Sequence, residues 1–108
     1  MPKYLFTASY TAEGIKGLLK DGGSKRRDVA GKLIESLGGT IEAMYFCASG
    51  DADIVLIADL PDIETFAATG LATRAAGALE TGLTIELLTP EQMDEATKKN
   101  VSYRPPGQ

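Results

Sequence analysis

Four carboxylates fall at strand-like positions where a proton could be taken up: Asp53, Asp59, Glu42 and Glu86. Such a group acts as a general base only when it is partly desolvated and within hydrogen-bond reach of the proton it removes. Asp53 and Glu86 are the catalytic candidates, with a tyrosine as electrophile. The same side chains also read as turn or edge charges, which accept backbone hydrogen bonds or keep a sheet edge from pairing. The chain has no histidine and one cysteine. Imidazole metal sites, Ser-His-Asp and Cys-His nucleophiles and an internal disulfide are thereby excluded within one chain. Cys47 has no activating base and reads as a packed thiol. No glycine spacing matches a phosphate loop or a dinucleotide fingerprint, so no cofactor or metal is expected.

The positioning elements must come from 108 residues, of which 44% are hydrophobic and 24% charged. That suits one soluble domain over residues 1–99 followed by an extended tail over 100–108, rich in proline and polar residues. No apolar run approaches the ~20 residues of a membrane span, and Met1-Pro2-Lys3-Tyr4 lacks a signal-peptide core. A cytoplasmic location is expected. A net charge of −4 argues against nucleic acid, whose binding needs a concentrated positive surface. Lys25-Arg26-Arg27 reads as a solvated face or, alternatively, as an anion contact. Arg74, among small residues, reads as a snorkelling surface side chain or as a partner for a carboxylate or ligand.

Alternation predicts a first strand over Lys3–Tyr10. Thr11 is placed to cap a helix from Ala12, and Asp21-Gly22-Gly23 to interrupt it. Ser24 is then a cap for a continuation carrying Val29, Ala30, Leu33, Ile34 and Leu37, which Gly38-Gly39 closes. Strands are expected over Thr40–Ala48 and from Asp53 to Leu60, where Pro61 ends the ladder. Asp62 caps a helix presenting Ile63, Phe66, Ala67, Leu71 and Ala75. Leu83–Leu88 forms the last strand, and Thr89-Pro90-Glu91-Gln92 opens a short helix with capping-box spacing. The order β-α-β-β-α-β is that of an α+β, ferredoxin-like fold with a four-stranded antiparallel sheet, both long helices on one face and an added C-terminal helix.

Parity then sorts the strand residues. Phe6, Ala8, Ile41, Ala43, Tyr45, Ile54, Leu56, Ala58, Leu83, Ile85 and Leu87 are assigned to the helix side. The opposite face holds Leu5, Thr7, Ser9, Glu42, Met44, Phe46, Ala48, Asp53, Val55, Ile57, Asp59, Thr84, Glu86 and Leu88. That face is apolar enough to need cover, and a symmetric homodimer is the expected cover. Thr7, Ser9, Met44, Phe46, Asp53 and Thr84 would line a ligand cavity on it. The leading expectation is an oligomeric binding protein for a small apolar or aromatic molecule. The alternatives are a cofactor-independent isomerase or oxygenase using Asp53 or Glu86, and an assembly module without a ligand. Tyr103 and Arg104 would clasp a neighbouring subunit, cover the cavity or belong to a mobile tail.

The stretches Lys3–Tyr10, Gly22–Arg26, Leu37-Gly38-Gly39, Gly50–Asp53, Leu88–Glu91 and Ser102–Gly107 together resemble the GYD domain family, small bacterial proteins of ferredoxin-like fold. The resemblance implies pairing as a dimeric α/β barrel. Members of that architecture include cofactor-independent oxygenases, isomerases and stress-related dimers, so the resemblance does not choose an activity. Ala52 stands where the family's tyrosine is expected between Gly50 and Asp53. If that tyrosine supplied a hydroxyl to a ligand, function is altered here; if it packed at the turn, Ala52 leaves space.

Overall fold

The computed structural model describes the backbone of residues 1–108 and every side chain except that of Thr81. Strand β1 (Lys3–Tyr10) leads to Thr11, whose hydroxyl accepts the Gly14 N–H at 3.1 Å and opens helix α1 (Ala12–Asp21). Gly22, at φ +82°, both ends α1 and begins α2 (Gly23–Ser36). Ser24, expected as a cap, lies inside α2, because the left-handed turn at Gly22 already separates the helices and costs little without a Cβ. Strands β2 (Thr40–Phe46) and β3 (Ile54–Asp59) follow, each shorter at the hairpin end than expected. Asp62 caps α3 (Ile63–Ala75), accepting the Thr65 N–H at 2.8 Å. Strand β4 (Leu79–Leu87) starts four residues before the expected Leu83, and Thr89 and Gln92 close a capping box on α4 (Pro90–Thr97).

The result is a mixed α+β fold with an open antiparallel sheet in the order β2-β3-β1-β4. Phe6 pairs with Leu56 and Ala8 with Ile54, so the central pair shares one parity, as expected. The edge strands do not keep it. A bulge between Ile41 and Ala43 places Met44 opposite Leu56 and Phe46 opposite Ile54, which moves both to the helix side. Ala43 and Tyr45, assigned to the helices by alternation, stand opposite Ile57 and Val55 on the open face. The second bulge sits between the Ala8–Thr81 and Phe6–Thr84 pairs. Beyond it Thr84 and Glu86 share the side of Phe6 and Tyr4, and Ile85 and Leu87 lie opposite Leu5 and Lys3 on the open face. One extra residue in each edge strand therefore reverses the faces assigned to Ala43–Phe46 and to Thr84–Leu87.

Tyr4, Leu56, Ala58 and Leu60 from the sheet side and Ile34 from α2 form the buried core. Phe66 fastens α3 to it, with ring centroids 4.8 Å from Tyr4 in a tilted contact and 5.6 Å from Phe6 edge to face. Each such pair contributes about 0.5–1.5 kcal/mol beyond area burial. The open face carries Leu5, Ala43, Tyr45, Val55, Ile57, Ile85 and Leu87, more apolar than alternation implied; Tyr45 is 68% exposed and Ile85 43%. No residue of α4 is buried, and Leu88, Met93, Val101 and Tyr103 all stand in solvent. The radius of gyration, 17.1 Å, exceeds the about 13 Å of a compact chain this long. Helix α4 and the tail thus form an arm. Among the described residues, no helix is long and apolar enough to cross a membrane.

Candidate functional site

Between the helix side of the sheet and helices α2 and α3 lies a cavity of about 390 Å³. Its floor is Phe6, Ala8, Met44, Ile54 and Leu56 from three strands; Ala30 and Leu33 of α2 form one wall and Phe66 and Leu71 of α3 the other. The space exists because α3 offers Ala67, Thr69, Gly70 and Thr73 toward it, side chains too small to meet those of α2. Thr69 and Thr73 turn their hydroxyls back to the carbonyls of Thr65 and Gly70, at 2.9 and 3.1 Å, so they add little polarity. The other polar residues along it are Thr7, Tyr10, Arg26, Arg74, Glu80 and Thr84.

The structure divides the expected ligand residues. Met44 and Thr84 reach this cavity because the bulges turn them to the helix side, and Thr7 touches it at the second bulge. Phe46 is also on the helix side, but it packs against Gly23 near the α1–α2 junction. Ser9 and Asp53 do not line the cavity. The cavity lies on the face opposite to the one expected, where polar residues were placed by unbroken alternation.

Ser9 and Asp53 instead stitch the β2–β3 hairpin to β1. Asp53 accepts the Tyr10 N–H on Oδ2 at 2.8 Å, its own N–H donates to the Ala8 carbonyl at 2.9 Å, and the Ser9 hydroxyl donates to the Asp51 carbonyl at 2.8 Å. The half-buried Ala52 is held inside this stitch, and Gly50 supplies a positive φ of 95°. At the other end of the sheet Lys3 binds both Glu42 and Asp59, the latter at 3.0 Å. The Glu42 and Asp59 bonds hold the Lys3 ammonium above its usual range. Two of the four carboxylate candidates are thus engaged by one lysine.

Glu86 stands opposite Tyr4, exposed and outside the cavity. Burial, followed by the carboxylates of Glu86, Asp62 and Glu64, pushes the Tyr4 phenol above its ordinary range. Cys47 is a half-buried free thiol. Among the described residues, no group of three or more His, Cys, Asp or Glu side chains is placed to hold a metal ion.

Leu33, Phe66 and Leu71 read from sequence as plain core stripes, and Arg26 and Arg74 as separate cations, each either on a solvated surface or meeting an anion or ligand, with nothing to relate one to the other. The signal for a gap between them was the run of small residues in α3, which leaves volume unfilled when a helix of ordinary side chains stands across from it.

The family model for the GYD domain matches residues 4–97, from the second residue of β1 to the end of α4. No curated protein and no solved structure matches the chain.

Proposed function

The chain belongs to the GYD domain family, and on that footing we propose that it is a binding protein for a small apolar or aromatic molecule held between the sheet and helices α2 and α3. The apolar cavity of about 390 Å³ carries this reading. Its volume lies in the range of about 300–1,000 Å³ typical of small-molecule sites, and its floor and walls are mostly apolar. Neither Asp53 nor Glu86 lines it, so the candidate bases for an isomerase or oxygenase have no substrate to act on there.

The order of elements and strands supports a ferredoxin-like fold, and the apolar open face supports pairing of two copies as a dimeric α/β barrel. Leu5, Val55, Ile57, Ile85 and Leu87 would meet their counterparts there. Leu5, Val55, Ile57 and Leu87 are already half-buried, so covering each contributes only a part of the about 1.5–3 kcal/mol that a fully exposed side chain would gain.

The test uses N-phenylnaphthylamine, an uncharged fluorophore that brightens in apolar surroundings. Saturable brightening at one probe per chain is expected, with loss of the signal in Ala67→Trp, whose indole fills the space beside α3. Absence of saturation, or equal brightening of the variant, overturns the reading.

A further inference from the structure

We infer that the head of the bound molecule is a carboxylate, gripped between Arg26 of α2 and Arg74 of α3, with an aliphatic or aromatic tail lying over the sheet. This rests on the cavity reading above and adds the chemistry of the ligand.

Two arginines from separate helices line one apolar cavity. A guanidinium beside apolar walls gains more from an anion than it would in open water, because the lower local dielectric strengthens the charge-assisted hydrogen bonds. Arg74 is partly set in place: its Nε donates to the Gly70 carbonyl at 3.1 Å, one turn back on α3. Among the described residues no carboxylate lies within 4.0 Å of it. Its terminal nitrogens remain for a planar, two-oxygen partner, the geometry that arginine matches and lysine does not. Arg26 is only loosely engaged. Its one acidic neighbour, Asp21, is 4.0 Å away and is shared with Lys25 at 3.7 Å.

Glu80 on β4 also lines the cavity, exposed at its rim. Two cations and one carboxylate leave a single net positive charge, which suits a monoanion better than a phosphate dianion. The same cavity carries apolar surface at Leu33, Phe66 and Leu71 on its walls and at Phe6 and Leu56 on its floor, where Leu56 is buried, so an apolar tail attached to a head at the arginines has surface to cover.

The experiment displaces bound N-phenylnaphthylamine with decanoate or with decanol, which share a chain length and differ in head charge. Decanoate is expected to compete about tenfold better than decanol, as charge-assisted hydrogen bonds predict. The advantage should shrink to about twofold in the Arg26→Gln/Arg74→Gln double variant and diminish as salt rises from about 20 to about 500 mM. Circular dichroism of the variant matching the parent excludes misfolding as the cause, and single variants are used if the double fails to fold. Equal competition by decanol and decanoate in the parent overturns the carboxylate inference and leaves the cavity reading intact. A parent that takes up neither the probe nor decanoate overturns both.

Discussion

Gly82 lies so close to Thr7 that a Cβ on it would stand 2.6 Å from the Thr7 Oγ1 and closer still to the Thr7 carbonyl oxygen. The neighbouring Leu83 N–H donates to that same Oγ1 at 2.9 Å. A ladder bond displaced by the bulge is thereby recovered through a side chain. Gly82→Ala drives a Cβ into the Thr7 backbone and should destabilise the fold by about 1–3 kcal/mol in urea denaturation. Thr7→Val keeps the shape and removes the acceptor, costing about 1 kcal/mol. If both variants match the parent, the bulge is not a fixed part of the fold.

Asp53 is predicted to hold the hairpin to β1. Asp53→Ala leaves the Tyr10 N–H without its acceptor and should cost about 1–2 kcal/mol. Amide exchange localises the effect: the Tyr10 N–H should exchange faster in the variant while the N–H groups of α3 are unchanged relative to global stability. Unaltered protection at Tyr10 would count against this role.

The raised Tyr4 phenol makes stability sensitive to alkali. Its neutral form is favoured in the fold, so the stabilisation is whole below the ordinary tyrosine value of 10.0 and is lost as pH rises through the higher folded value. The urea midpoint should fall as pH rises above about 10, and Tyr4→Phe should lessen that fall. The opposite window belongs to Asp62. Its carboxylate, bonded to the Thr65 hydroxyl and N–H, titrates below the ordinary 3.8, so its stabilisation is present above that value and lost as pH drops through the folded one. Asp62→Asn should blunt the acid loss, read by the same titration of midpoints.

Ile57 sits opposite both Leu5 and Ala43 on the open face. Ile57→Lys should convert a dimer to a monomer by static light scattering at micromolar concentration, with circular dichroism unchanged. A monomeric parent would remove the proposed pairing of sheets.

Much of the fold was legible because its punctuation is local. Thr11, Asp62 and the Thr89–Gln92 pair act as caps where they were expected, since a cap needs only a side-chain oxygen two or three residues before an unpaired N–H. The parity of β1 and β3 was equally plain, because both central strands run without interruption. The faces of β2 and β4 were not. A bulge is a relation between two strands, and nothing in Glu42 or Leu83 alone announces that its partner strand is one residue short. The candidate site inherited that error: Met44 and Thr84 reached a cavity by being turned to the other side, while Ser9 and Asp53 stayed in the hairpin stitch. Arg26 and Arg74, 48 positions apart in the chain, become related only when α2 and α3 stand across one gap.

The exposed arm formed by α4 and the tail stretches the molecule to 58 Å along its long axis, against 33 and 24 Å across. A particle of that shape tumbles more slowly than a sphere of equal mass and meets more drag. Even a lone copy would therefore emerge early from a sizing column and mimic a heavier species. Deleting residues 89–108 should shift elution later by more than the lost mass accounts for.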